Sequence, residues 1–143
     1  MPARVPSQPV DIRPISAPDT YPLRHQVLWP AKPYAYVRVE NDAAGAHFGA
    51  FVHGQLVAVI SLFVEGSEAR FRKFATYPAY QRQGIGSALL GRVLEVARQR
   101  GARRLGCDAR QEASGFYQRF GMAAEGPVFY KGDIPYQRMR LAL

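Results

Sequence analysis

Ten consecutive residues, Gln81-Arg82-Gln83-Gly84-Ile85-Gly86-Ser87-Ala88-Leu89-Leu90, place two glycines, several hydrogen-bonding side chains and one arginine at the head of an amphipathic run. The segment before them, Arg70-Phe71-Arg72-Lys73-Phe74-Ala75-Thr76, has strand character, and Pro78 closes it because proline cannot donate a ladder hydrogen bond. The order is therefore strand, turn, helix. Glycines at 84 and 86 let the main chain approach a bulky anion, and the N–H groups of a first helical turn point outward with the positive end of the helix dipole behind them. This arrangement suits a pyrophosphate, with Arg82 as the charge partner. Two other phosphate loops are excluded: Leu89 stands where G-x-G-x-x-G needs its third glycine, and no Gly-Lys-Ser/Thr follows as a P-loop requires.

The pattern that does fit is Q/R-x-x-G-x-G/A, which resembles the acetyl-CoA-binding motif of the GCN5-related N-acetyltransferase (GNAT) superfamily. A second segment, Ala113-Ser114-Gly115-Phe116-Tyr117-Gln118-Arg119-Phe120-Gly121-Met122, is similar to that family's A-x-x-F-Y-x-x-x-G-F stretch. The two lie in register over residues 47–122. Toward the ends, Leu23-Arg24-His25-Gln26-Val27 looks like the first helix of an ElaA-like bacterial subgroup. Gly132-Asp133-Ile134-Pro135-Tyr136 looks like its "G-I-P-H" strand entry, with Tyr136 in place of the histidine. The resemblance implies a mixed, mostly antiparallel α/β sheet with a splayed strand pair, and transfer of an acetyl group from acetyl-CoA to a primary amine in a ternary complex without metal. Two alternatives of other classes stay open: a CoA-binding regulatory module without turnover, and a basic nucleic-acid-binding protein.

Acetyl transfer needs a proton donor for the leaving thiolate, donors for a developing oxyanion, and a neutral attacking amine. A tyrosine of pKa ~10 can share its proton with a thiolate whose conjugate acid has pKa ~8.5, and the resemblance gives that part to Tyr117. It gives the oxyanion and the pantetheine arm to main-chain groups of Phe74, Ala75 and Thr76, and the phosphates to Gln81, Arg82, Gln83, Gly84, Ile85, Gly86 and Ser87. No carboxylate stands on the strand before the loop, where many relatives carry a glutamate. Glu65, Glu68, His25, His47 or a water chain are left as sources of a base. Arg110 replaces an asparagine common in the family and could face a pantetheine carbonyl, a phosphate, an acidic substrate or solvent, with Asp108 as its partner. The acceptor's wall is expected from Tyr21, Arg24, His25, Trp29, Tyr34 and Tyr36, with an acidic acceptor mildly favoured by the excess of arginine.

The elements that must position these groups read as a strand over 10–13, a helix over 19–28, an irregular aromatic stretch over 30–45, and a hairpin of 47–52 and 56–64 turned by His53-Gly54-Gln55. A strand over 69–76 follows, then a helix over 84–100. Its apolar stripe is Ile85, Ala88, Leu89, Val93, Val96 and Ala97, and Gly101 caps it. A strand over 103–109, a helix over 112–120 and a strand pair within 122–143 complete the pattern. Residues 1–8 read as a loose tail and 9–143 as one domain. The chain has 143 residues, 48% of them hydrophobic, and a net charge of +8 carried mostly by 16 arginines against 11 acids. That charge suits an anionic partner such as coenzyme A. Nucleic acid is disfavoured because the arginines outline no recognised module, and a homodimer is left open. A lone Cys107 in an apolar strand reads as a buried thiol. No apolar run approaches the ~20 residues of a membrane span, so a cytoplasmic protein is expected.

Overall fold

The computed structural model describes residue 6 and residues 8–143, so most of the expected tail lies outside the described residues. Seven strands form one sheet in the order β1-β2-β3-β4-β5-β7-β6. In chain order they are β1 (Asp11–Ile15), β2 (Ala46–Val52), β3 (Gln55–Glu65), β4 (Glu68–Thr76), β5 (Arg104–Arg110), β6 (Ala123–Lys131) and β7 (Ile134–Ala142). All neighbours are antiparallel except β4 and β5. Helices α1 (Ala17–Leu23), α2 (Ile85–Gln99) and α3 (Ser114–Arg119) cover the sheet.

Local chemistry sets most boundaries. Ser16 caps α1, its hydroxyl accepting from the Asp19 N–H while the Asp19 carboxylate accepts from the Ser16 N–H. The helix expected to run to residue 28 changes character after Leu23, because Pro22 sits inside it without an N–H to donate, and Arg24–Leu28 continue as a π-helical turn. Between residues 30 and 45 lie two short 3-10 turns, Tyr34–Val37 and Asp42–Ala44. The β2–β3 turn is two residues long, since His53 (φ +50) and Gly54 (φ +78) are both left-handed and Gln55 already pairs with Val52. That turn matches the right-handed strand twist.

The main core packs α2 on the sheet. Ile85, Leu89, Leu90, Val93, Leu94 and Ala97 are buried against Val57, Ile60, Leu62, Phe71, Leu105 and Met139, at roughly 1.5–3 kcal/mol for each fully buried large side chain. Leu90 and Leu94 are missing from the expected stripe, while Ala88 and Val96 are only half-buried. On the other face, Leu23 joins Val59 and Ala75. The segment between α1 and β2 is held there by a buried ion pair. Arg24 Nη1 and Nη2 donate to both Asp42 carboxylate oxygens at 2.9 and 3.0 Å, and further bonds reach the Val37 carbonyl and the Ser61 hydroxyl. His47 bridges the Ser61 hydroxyl and the Asp42 carbonyl.

Replacing one partner of such a pair strands a buried charge, which costs about 3–5 kcal/mol. Asp42→Asn should therefore lower the urea midpoint with little change in slope. Burial would raise the Asp42 carboxyl, but the Arg24 hydrogen bond, the Val39 N–H and the nearby charges hold it below the ordinary carboxylate value. Its folded pKa lies below its unfolded one, so its stabilisation is present at neutral pH and is lost as pH falls through the folded value. The variant should lack that component of acid sensitivity.

Candidate active site

β4 and β5 pair at only three positions, Glu68↔Arg104, Ala69↔Leu105 and Arg70↔Gly106. Beyond them β5 stays with β7 as far as Arg110↔Tyr136, and β4 stays with β3 as far as Thr76↔Ala58. The two halves of the sheet therefore part. β4 also carries a bulge: Val59 faces Ala75 and Ser61 faces Arg72, so Lys73 and Phe74 together oppose Ile60. Lys73 takes φ +55 there, a left-handed conformation unusual for a long side chain. A cleft of about 860 Å³ opens at the parting, lined by Trp29, Tyr36, Arg72, Lys73, Phe74, Cys107, Arg110, Tyr117 and Tyr136 among others. A groove of about 710 Å³ between β2 and α2 does not contain Tyr117.

Tyr117 projects from α3 into an aromatic cluster, with ring centroids 5.2 Å from Phe116, 5.8 Å from Phe71 and 6.5 Å from Phe74. Its ring is buried, yet it lines the cleft. Burial raises its pKa well above the usual phenol value, so it stays protonated at any working pH. Cys107 lines the same cleft, and burial pushes its thiol up to about 12, which keeps it protonated and a poor nucleophile.

The loop before α2 is shaped as a cradle. Arg82 (φ +61) and Gly84 (φ +83) are left-handed, and Gly84 caps α2 without any side-chain hydrogen bond to the first turn, leaving the Ile85, Gly86 and Ser87 N–H groups for an external acceptor. A Cβ at Gly86 would come within 3.3 Å of the Phe74 ring. Two of the expected side chains are turned to other work: Gln81 donates to the Thr76 carbonyl and Gln83 to the Ala79 carbonyl, each at 3.0 Å. Ile85 is buried in the core and Ser87 is buried as well, so both offer main chain rather than side chain, while Arg82 is exposed. This geometry fits a diphosphate held by main-chain N–H groups.

Charge in the cleft is mostly positive. All three lysines of the chain, Lys32, Lys73 and Lys131, line it, with Arg70, Arg72 and Arg110. Asp108 receives Arg70 at 2.8 Å, Arg138 at 3.3 Å and Lys131 at 3.4 Å. Its carboxyl, raised by burial but lowered more by these cations, stays ionised. Arg110 does not pair with it, as the sequence suggested, but donates to the Leu28 carbonyl at 3.3 Å. The Lys73 Nζ lies 4.0 Å from the Trp29 ring centroid. Burial, with Arg72, Lys131, Arg24 and Arg70 nearby, lowers its pKa to about 7.

The base candidates read from sequence lie elsewhere. Glu65 ends β3 and Glu68 opens β4, so that strand does carry a carboxylate, but Glu68 pairs with Arg104; His25 bonds the Lys32 carbonyl and His47 belongs to the Arg24–Asp42 network; none lines the cleft. Of the expected wall, Trp29 and Tyr36 line it, packed edge-on with centroids 5.2 Å apart. Arg24 is buried, Tyr34 packs on His25, and Tyr21 lies beneath Arg24 and Arg38. Arg72, Lys73 and Lys131 escaped sequence reasoning. Arg72 and Lys73 had one signal, a strand carrying cations where a carboxylate was sought; Lys131, on β6, had none.

A seven-stranded, mostly antiparallel sheet that parts beside a glycine-capped helix defines the acyl-CoA N-acyltransferase fold. The chain matches the Acetyltransferase (GNAT) family over residues 11–122. It is 30% identical over 135 residues to the uncharacterized N-acetyltransferase YitI of Bacillus subtilis (strain 168), covering 88% of this chain and 89% of the relative. A GNAT family acetyltransferase from Elizabethkingia anophelis with acetyl-CoA bound superposes with a TM-score of 0.75 at 18% identity, covering 94% of this chain and 98% of that one. Escherichia coli ElaA superposes with a TM-score of 0.77 at 17% identity, covering 92% and 99%. At such identities these structures establish the shared fold. The chain belongs to the acetyltransferase (GNAT) family and is an acetyltransferase.

Lys73 has a folded pKa below its unfolded one, so the unfolded chain binds the extra proton between about 7 and ~10.4. Stability from this residue therefore rises with pH across that window, and its cost is fully present below about 7. Lys73→Met should raise the melting temperature at pH 6 and lose that advantage by pH 10, measured by calorimetry at both values.

Proposed function

We propose that this enzyme transfers an acetyl group from acetyl-CoA to a primary amine by direct attack in a ternary complex, within a single domain spanning residues 9–143. Acetyl-CoA supplies an activated thioester and a thiol leaving group. The observation that carries the reading is the parting of β4 from β5 after Arg70↔Gly106, with Tyr117 lining the cleft at that parting.

Main-chain groups of Phe74, Ala75 and Thr76, unpaired with β5, offer an edge to which an extended pantetheine arm can add as a strand. Their N–H groups can also meet negative charge developing on the acyl oxygen. The Ile85, Gly86 and Ser87 N–H groups and Arg82 receive the phosphates. Arg110, tied to the Leu28 carbonyl, holds the far end of β5 against the π-helical turn and so keeps the mouth of the slot in shape. Tyr117 donates a hydrogen bond to the departing sulfur. With its pKa raised it is a weaker acid than the thiol, so it stabilises the thiolate by sharing its proton. Lys73, half neutral near pH 7, takes the proton that the attacking amine releases. Absence of a membrane-length apolar helix among the described residues suits a cytoplasmic enzyme.

Tyr117→Phe removes one hydroxyl and keeps the ring. The melting temperature and acetyl-CoA affinity should hold while kcat falls by ~10²–10⁴-fold, the usual range for a lost proton donor. Full kcat across the pH range would reduce Tyr117 to a packing residue. Thiol release from acetyl-CoA with an amine panel distinguishes an enzyme from a module that binds CoA without turnover.

Acetyl-CoA binds only the folded chain and should raise its melting temperature. Gly84→Asp puts a side chain and a like charge into the cradle at a left-handed position. The protein should still melt cooperatively but lose most of that shift. An undiminished shift would place the phosphates elsewhere.

A further inference from the structure

The cleft is more cationic than acetyl-CoA binding explains. The residues assigned to the phosphates, 81–87, do not line it, so its positive groups face something else. Some of those groups already have a partner or lie exposed. Arg70 and Lys131 already share Asp108, and Lys32 lies 5.2 Å from the Tyr36 ring centroid. The two remaining carboxylates, Glu112 and Asp133, are exposed. Deeper in, Arg72, Lys73 and Arg110 are half-buried and have no carboxylate partner among the described residues.

Arg72 is the most telling of the three. It pairs in register with Ser61, whose hydroxyl bonds Arg24, so it faces the α1 side of the sheet with Trp29 and away from the α2 core. No hydrogen bond from its guanidinium to protein is found among the described residues. Its pKa is lowered by burial and by Arg70 and Arg24, against the opposing pull of Asp108 and Asp42, neither of which it contacts in an ion pair. A guanidinium presents paired donors that match carboxylate and phosphate oxygens bidentately, and this one, reached by solvent from the cleft, can exchange water for the oxygens of a ligand.

Resting on the acetyltransferase reading above, we propose that the acceptor is a primary amine that also carries a carboxylate or phosphate, and that Arg72 is the residue that binds this anionic group. Arg110 and Lys73 extend the positive field around it. The amine of such a molecule is left pointing toward the strand parting, while a polyamine or a lysine-rich peptide meets only repulsion from the same groups.

The test is an acceptor panel read by thiol release: glutamate and its diamide, O-phosphoserine, phosphoethanolamine, ethanolamine and spermidine. Anionic amines should exceed their neutral counterparts in kcat/KM by about 10- to 100-fold, the worth of one charge-assisted hydrogen-bonded pair. Arg72→Gln should raise KM for the anionic acceptors by a similar factor and leave KM for ethanolamine unchanged, while any change in kcat, which follows from removing its charge beside Lys73, should be the same for charged and neutral acceptors. Arg72→Lys, which keeps the charge without the fork, should recover part of the loss and guards against a folding defect in the glutamine variant. The ratio of glutamate to phosphoserine tells carboxylate from phosphate. Preference for spermidine, or equal effects of Arg72→Gln on KM for charged and neutral acceptors, overturns the inference while leaving acetyl transfer standing. If no amine turns over, the acetyl-transfer reading itself fails. Calorimetry with N-acetylglutamate against its diamide, in the presence of CoA, then decides the anion site alone: equal affinities refute it, and preference for the charged form that Arg72→Gln abolishes supports it.

Discussion

The site depends on one constraint: β5 cannot follow both of its neighbours. It is bound to β7 over all seven of its residues but to β4 over only three, and sheet twist accumulates until the parallel partner is released. Buried main-chain groups rarely go unpaired, so an edge exposed inside the molecule is a standing demand for a ligand that can supply strand-like hydrogen bonds. The core makes the parting tolerable. Phe71 from β4, Leu105 and Cys107 from β5, Met139 from β7 and the apolar face of α2 form one continuous cluster beneath it, so the two half-sheets are held together by packing where hydrogen bonding lapses. The bulge at Lys73 and Phe74 increases the local bend, and its left-handed lysine costs about 1–3 kcal/mol.

The opposite wall is set by the Arg24–Asp42 pair. Arg24 has no exposed surface, and four of its donor contacts are satisfied while its Nε has no partner among the described residues. Lysine could not replace it, because a single ammonium cannot address a carboxylate bidentately together with a carbonyl and a hydroxyl from two other elements. The pair ties the π-helical turn to the irregular segment and to β3. It thereby places Trp29 above Lys73 and Tyr36 against Trp29. A π turn presents residues at a different angle from an α-helix, and here it lets Arg24 enter the interior while Trp29, five residues on, reaches the cleft.

Features written in local chemistry were legible in the sequence. The glycines at 84 and 86, the proline after β4 and the alternation of the β2–β3 hairpin follow from short-range rules, and the apolar strand around Cys107 announced its burial; the splayed sheet and the place of the F-Y pair of α3 came from the family resemblance. Features that depend on register or on partners far apart were not. The bulge uses a lysine in place of the glycine or asparagine that would have signalled a left-handed position. Asp108 draws its partners from β4, β6 and β7, positions 70, 131 and 138, so proximity in sequence pointed wrongly to Arg110. Glu65 ends β3 and Glu68 opens β4, at the end where β4 and β5 still pair and away from the parting.

A cationic cleft changes what deprotonating an acceptor requires. An alkylammonium has pKa ~10.4 in water, and a carboxylate beside it, as a general base, also stabilises the ammonium form it must deprotonate. Here the field has the opposite sign. One cation about 6 Å away in an effective dielectric of about 20 contributes roughly 3 kcal/mol, or about two pK units, and such a field adds to burial, the larger cause, in lowering the pKa of Lys73 to about 7. An acceptor amine in the same surroundings is driven toward its neutral, nucleophilic form before any base acts. A base titrating near 7 is then well matched to receive the proton, because proton transfer works best between groups of similar pKa near the working pH. In the proposed mechanism, Lys73 and its cationic neighbours would do together what a glutamate would do alone: the field would lower the acceptor's pKa, and the lysine would supply the lone pair.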